Sequence, residues 1–492
     1  MRLPRHKTKI VCTIGPSSFH PAVLRGLYRR GMSVARINLS HGDQAEKRDT
    51  FRKVRDAARA EGKICAILAD LPGPKIRLGD LAQETIVLTA GKEVTLTTRR
   101  LLGSPAVLPV NYQQLPRSVK TGSLIYLYDG YLQLRVLSVA RTEVLCRVLI
   151  GGKVSSRKGI NLPGAHLYVN PVTRKDLDWM KFCLGQGIRM FGVSFVEKAA
   201  DLVKIRKYAA SLGHRVHLIA KIERSEAVEN LAEILRAADG LMVARGDLGV
   251  QVPIEDVPVL QKWLIHEAKL LGKPVITATQ MLASMTENPR PTRAEVTDVA
   301  NAIVDGTDAV MLSEETAMGK YPLQAVETMA KVAASMERRW QPFKFSRRMM
   351  EHFRGETAAP GSFSVEDLVS SQVVEAMRAL KAKWILTPTH SGATALRISR
   401  FKPASWVLAF SENPRIHEFL SLAYGVQGVP SVRRQGSWHV PILKFLQQAG
   451  LAKTGEKLIL TEGSDPTLVG GTNSFRVIVK GVKQSRPVAS HA

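Results

Sequence analysis

Two short apolar runs, Val216–Ala220 and Gly240–Ala244, bracket a stretch of helical spacing, and this unit constrains the whole chain. Each run has the length and composition of a buried strand. Between them, from Ser225 to Ala238, Ala227, Leu231, Ile234 and Leu235 fall on one helical face. A strand–helix–strand unit makes its two strands parallel and covers both their faces. The first strand runs into Lys221-Ile222-Glu223 and the second into Arg245-Gly246-Asp247. Alternation along a strand sends Lys221 and Glu223 to the same side. A cation and two carboxylates therefore gather at the carboxyl edge of a parallel sheet, where such folds bind ligands. One such cluster is ordinarily a helix cap and a surface ion pair, so the other strands decide.

Three strand signals precede this unit: Lys7–Gly15, Ser33–Leu39, and Ile64–Ala69, which ends at Asp70. The second leads into Arg36-Ile37-Asn38-Leu39-Ser40-His41-Gly42, with Arg36, Asn38 and Ser40 on one side. The pattern then changes to short alternating β runs, with Asp129-Gly130 as a hairpin turn signal. Leu71-Pro72-Gly73-Pro74 and Asn161-Leu162-Pro163-Gly164 punctuate its ends, marking a hinged lid. Strand signals resume at Ile188–Phe195, Val216–Ile222, Gly240–Ala244, Pro274–Ala278 and Asp308–Leu312. About eight βα units in roughly 250 residues is the size of a TIM barrel, whose active site lies at the carboxyl ends of its strands. Ser194, Glu223, Asp247, Thr279-Gln280 and Ser313-Glu314 stand at those ends.

The expected architecture is α/β: a (β/α)8 TIM barrel from residues 1–71 and 161–340, with a small β-barrel lid inserted over 72–160. A basic, irregular stretch from Ala333 to Ser364, with the linker proper at 341–364, leads to a C-terminal α/β domain over 365–482 and a tail over 483–492. In that domain helices are expected at Val365–Leu380 and Ala393–Ser399, and strands at Trp384–Thr387 and Trp406–Phe410. Two loops have the composition of phosphate binders: Thr389-His390-Ser391-Gly392-Ala393-Thr394, which opens a helix, and Gly470-Gly471-Thr472-Asn473-Ser474. The same small polar residues also make ordinary helix caps.

Lys and Arg number 70 against 43 Asp and Glu, a formal charge of +27. The basic residues are dispersed and no basic run is interleaved with aromatics, which favours anionic small-molecule substrates over nucleic acid. No run approaches the ~18 apolar residues of a membrane span, and the N-terminus lacks the apolar core of a signal peptide. Cys12, Cys65, Cys146 and Cys183 show no paired spacing and read as free thiols of a cytoplasmic protein.

The motifs RINLSHG (36–42), GPKIR (73–77), KGINLPG (158–164), AKIE (220–223), VARGDLGV (243–250), TATQML (277–282), PTRAEVTDVANAIVDGTDAVMLS (291–313) and ETAMGKYP (315–322) closely resemble pyruvate kinases. The resemblance runs in order from about Lys7 to Pro322 and more loosely to Val479. It implies transfer of a phosphoryl group from phosphoenolpyruvate to ADP with Mg2+ (or Mn2+), by a homotetramer under allosteric control. Glu223 and Asp247 would be the metal ligands, as hard oxygen donors. Lys221 would stabilise charge on the phosphoryl group and on the enolate. Arg36 would hold the phosphate. By resemblance Arg77 also faces the phosphates, Asn38, His41 and Lys158 lie towards the nucleotide, and amides around Ala244, Arg245, Gly246 and Asp247 seat the substrate carboxylate. Thr279 falls near the enol carbon; because a threonine hydroxyl is a poor acid, a water chain is the expected proton source.

The chain departs from the usual family pattern in two places. Leu71 stands where many members have a K+-binding Thr, and Lys75 where they have Glu. K+ is therefore not expected to be required. Ala393 stands where related members often have Arg, which points the effector site at Thr389, Ser391, Gly392 and Thr394 away from fructose 1,6-bisphosphate and towards AMP or a sugar monophosphate. Two other readings stay open on the residues alone: a metal-dependent aldolase or phosphoenolpyruvate-mutase-like barrel, and a polyanion-binding protein that keeps the fold.

Overall fold

The computed structural model describes residues 3–339, 349–353, 363–431, 438–463 and 471–481. Eight parallel strands close into a barrel: β1 (Lys9–Thr13), β2 (Met32–Asn38), β3 (Ala66–Asp70), β4 (Met190–Val193), β5 (His217–Ile222), β6 (Gly240–Ala244), β7 (Val275–Ala278) and β8 (Ala309–Leu312). Their order around the barrel follows the chain, and β1 closes on β8 through Lys9–Ala309 to Cys12–Leu312. Helices cover the outside, so β1, β3, β4, β6, β7 and β8 are buried along their whole length.

Alternation splits each strand between two cores. Ile10, Ala35, Ile67, Phe191, Leu218 and Val243 join the large cluster beneath the helices. Val11, Val34, Ala66, Leu68, Met190, Ile219 and Met242 form a separate cluster, the filling of the barrel. Phe419 and Leu422, from the C-terminal part of the chain, belong to that inner cluster and close the barrel floor.

Helix ends follow local chemistry. Thr173, Thr292 and Ser364 each cap a helix and receive a carboxylate from Asp176, Glu295 and Asp367 in return. The single helix expected over Ser225–Ala238 is two, Ser225–Glu229 and Leu231–Ala237, meeting at Asn230. Asparagine competes with the helix for backbone bonds, and here its amide Nδ2 donates to Glu197 O at 2.9 Å. The last barrel helix runs from Pro322 to Arg339, so Ala333 to Arg339 is helical and not part of an irregular stretch. Of the expected linker, residues 349–353 are helical, and Met349, Met350 and Phe353 are buried in the C-terminal core. Pro360, Gly361, Gly470 and the 483–492 tail lie outside the described residues.

Between β3 and β4 the chain forms a six-stranded mixed sheet and a two-stranded ladder with their own apolar core. The six strands do not close on one another; isolated bridges such as Arg77–Gly159 and Leu78–Val110 tie the ends of the insert together instead. Strands Leu124–Leu127 and Leu132–Val139 pair antiparallel across a 3-10 turn, Tyr128–Gly130, in which Gly130 takes φ 97°. That turn packs against the helix Arg245–Gln251 at the barrel mouth. The C-terminal sheet has four parallel strands and one antiparallel edge strand, Thr472–Val479.

A buried ion cluster joins the floor of the barrel to this last sheet. Asp308, fully buried just before β8, receives Lys269 Nζ at 2.6 Å and Lys402 Nζ at 2.9 Å. It also accepts the amides of Val275 and Tyr424 at 2.9 and 3.2 Å. All four cysteines are free thiols, and no helix among the described residues is long and apolar enough to cross a membrane.

Candidate active site

Period-two alternation carries the inner, apolar columns of the barrel up to a polar layer at the carboxyl ends. Val11 is followed by Thr13, Val34 by Arg36 and Asn38, Leu68 by Asp70, Met190 by Gly192 and Ser194, and Ile219 by Lys221 and Glu223. Register then sets neighbours: Thr13 pairs with Arg36, Asn38 with Asp70, and Asp70 with Gly192.

Asp70 sits at the centre of this layer with its side chain 3% exposed. Its Oδ2 accepts Arg36 Nε at 2.8 Å and a second, shorter bond from Arg36 Nη2. Its Oδ1 lies 3.3 Å from Lys221 Nζ. Lys221 Nζ also reaches Glu223 Oε1 at 2.8 Å and Ser194 Oγ at 2.7 Å, and the serine hydroxyl donates in turn to Leu71 O at 2.7 Å. Arg36 Nη1 donates to Thr13 Oγ1 at 2.9 Å. Burial works against the Lys221 ammonium, yet Asp70 and Glu223 together raise its pKa above the ordinary lysine value. Burial likewise opposes the Asp70 carboxylate, and Lys221 and Arg36 hold it below its ordinary range. The result is a fixed, permanently charged Lys–Asp–Arg array at the floor of the mouth. A group that needs no reorganisation is what stabilises charge developing in a reaction.

Glu223 completes the layer. Its Oε2 accepts the Phe195 amide at 2.7 Å, and Phe195 itself takes φ 54° to present that amide. Burial, and then the negative charge of Asp247, push the Glu223 carboxyl up. Two repelling hard-oxygen donors suit a divalent cation, and Mg2+ asks for one or two carboxylates plus substrate and water. No cluster of three or more His, Cys, Asp or Glu that could hold a metal occurs among the described residues. The two carboxylates fit Mg2+ or Mn2+ whose shell substrate and water would complete.

Asp247 lies on the short helix Arg245–Gln251 that follows β6. The loop after β7 is tied to this helix. Gly246 N–H donates to Thr279 Oγ1 at 2.8 Å, and Thr279 Oγ1 donates to Ala278 O at 2.7 Å. Thr279 and Gln280 take φ 67° and 53°, strained for a β-branched residue above all. Arg245 holds that strain in place: its guanidinium bonds Asp298 Oδ1 at 2.6 Å and Thr279 O at 2.8 Å. The Arg245 side chain is engaged by Asp298 and by Thr279 O, and the Gly246 amide by Thr279 Oγ1. The Thr279 hydroxyl proton is committed to a carbonyl, in keeping with a water as proton source.

A ring of cations stands above. Lys75 Nζ is 4.0 Å from Asp247 Oδ1. Arg77 is anchored through its amide to Asn111 Oδ1 and through Nη1 to Arg157 O at 2.9 Å. Burial, then Arg77, Lys47, Lys75 and Lys175, push the His41 imidazole below its ordinary value, which gathers His41, Arg77 and Lys75 into one electrostatic neighbourhood. Lys158 Nζ rests 4.8 Å over the Tyr128 ring, and Asn38 Oδ1 accepts the Ser40 amide at 3.0 Å. The residues expected at an effector site lie elsewhere, between strand Trp384–Pro388 of the C-terminal sheet and the first turn of helix Ala393–Ser399. Thr389 Oγ1 accepts the Gly392 amide at 2.8 Å, Ser391 Oγ faces the Ala393 amide at 3.4 Å, and the buried Thr394 bonds Thr472 at 2.6 Å.

Asp70, Ser194 and Thr13 were not among the residues expected to carry the site. Asp70 and Ser194 were legible only as polar strand ends; alternation applied to β1, β3 and β4 as it was to β5 turns all three inwards.

The same layout occurs in known proteins. A family model described as the pyruvate kinase barrel domain matches residues 5–326, and one described as the pyruvate kinase alpha/beta domain matches residues 367–478. A pyruvate kinase of Thermococcus litoralis is 44% identical over 97% of this chain and 99% of its own. One of Thermotoga maritima is 40% identical over 96% of this chain and 99% of its own. The crystal structure of a pyruvate kinase from Cryptosporidium parvum superposes with a TM-score of 0.88 at 35% identity, covering 96% of each chain. Likeness that runs through barrel, insert and C-terminal sheet alike leaves one conclusion: the chain belongs to the pyruvate kinase family.

Proposed function

We propose that this enzyme transfers the phosphoryl group of phosphoenolpyruvate to ADP, giving pyruvate and ATP, with the residues of the barrel mouth in the following roles. The observation that carries the assignment is the buried Lys221 ammonium, held between Asp70 and Glu223 at 3.3 and 2.8 Å. From there it meets negative charge on the transferred group and, after transfer, on the enolate oxygen. Arg36 grips the phosphate while Asp70 fixes the guanidinium plane. Glu223 and Asp247 would hold Mg2+ or Mn2+, which would supply positive charge against the anionic substrate. Amides around Ala244, Arg245, Gly246 and Asp247 seat the substrate carboxylate, and Thr279 orders the water that protonates the enolate. Arg77, His41, Asn38 and Lys158 receive the nucleotide phosphates.

The test is ADP-dependent pyruvate formation by the purified chain, compared with Lys221→Ala. Loss of a preorganised donor of this kind costs about 10²–10³ in rate. A folded variant with near-normal turnover would remove Lys221 from the mechanism.

Catalysis without K+ is part of the same reading. Leu71 is buried among apolar side chains and offers no hydroxyl, whereas Lys75 brings an ammonium to within 4.0 Å of Asp247. A tethered cation then does what a bound monovalent ion does in other members. The accompanying readings are a cytoplasmic homotetramer and an anionic effector, AMP or a sugar monophosphate, at Thr389, Ser391, Gly392 and Thr394. Light scattering of the eluted enzyme tests the first, and phosphoenolpyruvate saturation curves with each effector test the second.

A further inference from the structure

The loops that carry Phe195 and Glu223 are tied together by an arginine to which the chemistry gives no role. Arg224 directly follows Glu223 and is 3% exposed. Its Nη1 bonds Glu197 Oε1 at 2.5 Å, on the loop after β4 and two residues beyond Phe195. Its Nε and Nη2 take the two oxygens of Glu226, at 3.2 and 2.5 Å, on the short helix Ser225–Glu229 that Arg224 itself leads into. The first contact joins two loops, and the second stays within one. A guanidinium is a planar fork, so gripping Glu226 along one edge fixes the direction in which Nη1 meets Glu197.

Phe195 is where this link matters. Its amide donates to Glu223 Oε2 at 2.7 Å while Lys221 holds Oε1 at 2.8 Å, so the carboxylate plane is set from both sides. To present that amide Phe195 takes φ 54°, a conformation that an aromatic residue keeps only where its surroundings over-determine it. On the ring side stands Gly73, at φ 64° where the insert begins, so close that a Cβ there would fall 2.7 Å from Phe195 Cδ2. Beyond Phe195, Val196 is fully buried, and the Glu197 and Lys198 amides donate to Asp201 at 3.0 and 3.1 Å. Those two bonds hold the loop to the helix that follows it, Ala199–Ser211. Across to the segment after β5 run the Arg224–Glu197 pair and the bond from Asn230 Nδ2 to Glu197 O at 2.9 Å. The charged pair is the stronger of these two ties.

We infer that Arg224 and Glu197 are positioning residues for the divalent cation: they set the Phe195 amide, and through it the orientation in which Glu223 is offered as a ligand. The inference rests on the reading of Glu223 and Asp247 as the metal ligands. Groups that orient a ligand from behind typically contribute tenfold to a hundredfold in metal affinity, and because Asp201 and Asn230 keep part of the loop in place, about tenfold is expected here. Charge alone predicts a different pattern. Arg224 is a cation one residue from Glu223, so removing it would tighten the binding of a metal ion, and removing the Glu226 carboxylate would loosen it. Positioning predicts looser binding on loss of Arg224 and little change on loss of Glu226.

Titration of the full chain with Mn2+ in the absence of ADP, counting the free ion by its paramagnetic resonance signal, tests this without turnover. Glu197→Gln keeps the shape of the side chain, drops its charge and should weaken Mn2+ binding about tenfold. Arg224→Met should weaken it at least as much, and Arg224→Lys should recover only part, since an ammonium lacks the planar fork that spans both glutamates. Glu226→Gln should stay within about twofold of the wild type. In turnover, Glu197→Gln should need about tenfold more Mg2+ for half-maximal rate, with kcat at saturating Mg2+ little changed. If the buried Arg224→Met variant fails to fold, the milder Glu197→Gln carries the test. Mn2+ affinity unaltered in Glu197→Gln, tightened in a folded Arg224→Met, or lowered as much by Glu226→Gln as by Glu197→Gln would each overturn the inference. A Glu223→Gln chain that binds Mn2+ as the wild type does, or a wild type that binds none, would overturn the metal reading of the site instead.

Discussion

Reversing the charge at Lys75 is the most direct probe of the tethered cation. Two unit charges 4.0 Å apart, the separation of Lys75 Nζ and Asp247 Oδ1, interact by ~4 kcal/mol at an effective dielectric of 20 and by ~1 kcal/mol in water. The side chains are 35% and 28% exposed, so screening brings the useful value close to the lower limit, about 1 kcal/mol. A substrate phosphate bound beside Asp247 feels the ammonium over a similar distance. Lys75→Met then loses about fivefold in kcat/KM, and Lys75→Glu, which replaces attraction by repulsion, about thirtyfold. Turnover should be measured over phosphoenolpyruvate and Mg2+ titrations in tetramethylammonium, Na+ and K+ at matched ionic strength, since screening alone alters binding of charged ligands. The wild type is expected to respond little to K+. K+ should rescue Lys75→Glu only in part, because the buried Leu71 still offers no oxygen from its side chain. Manyfold activation of the wild type by K+, or a Lys75→Glu enzyme as active as the wild type without it, would refute the reasoning.

Gly192→Ala tests the Asp70 array: a methyl there falls 2.8 Å from Asp70 Oδ1, which Arg36 and Lys221 hold fast. A loss of about tenfold to a hundredfold in kcat/KM is expected, and a folded variant with wild-type kinetics would contradict it. Asp308→Asn should lower stability by ~3 kcal/mol, since it strips the shared partner from Lys269 and Lys402 in a buried site; a melting temperature equal to that of the wild type would count against it. Glu418 supplies a pH signature, because burial pushes its carboxyl up to about 7 against the pull of Arg55, Arg415 and Arg189. A carboxyl raised on folding stabilises fully below its unfolded pKa and loses that contribution as pH rises through the folded value. Wild type should therefore lose stability relative to Glu418→Gln between about pH 5 and pH 8, and parallel melting curves across that range would rule this out.

Much of the architecture follows from periodicity. Runs of four to six apolar residues ending in polar ones mark β5 and β6, and each has the boundaries expected to within a residue or two. Lys221 and Glu223 share a side because side chains alternate, and that rule needs no knowledge of the rest of the chain. Other features depended on contacts that no local pattern carries. The Arg245 guanidinium turns from the mouth because Asp298, on a helix far along the chain, is there to receive it. The Gly246 amide meets the Thr279 hydroxyl because Thr279 adopts a left-handed conformation that propensity alone argues against. The helix ending at Arg339 passes through a stretch whose basic composition read as irregular, since its buried stripe, Ala325, Val326, Met329 and Ala333, is narrow beside a charged face.

Polar residues at the two ends of the same strands have different work. At the exit ends, Ser194, Lys221 and Glu223 face the barrel mouth, with Lys221 bonded to both of the others. At the entry ends, Asp308 and the strand-leading His217 meet the C-terminal sheet, and Lys402, Tyr424 and Phe419 supply their partners. A barrel strand buried on both faces cannot easily slide by one residue, because a slip would turn Lys221 into the helical layer and Ile222 into the mouth. Strands so fixed in register hold the site at one end rigidly to the floor at the other. Any change in how the C-terminal sheet seats on that floor must therefore be taken up by tilting strands or by the loops beyond them. The loops that carry Phe195 and Thr279 already sit at positive φ, so they are where such a change would be felt first.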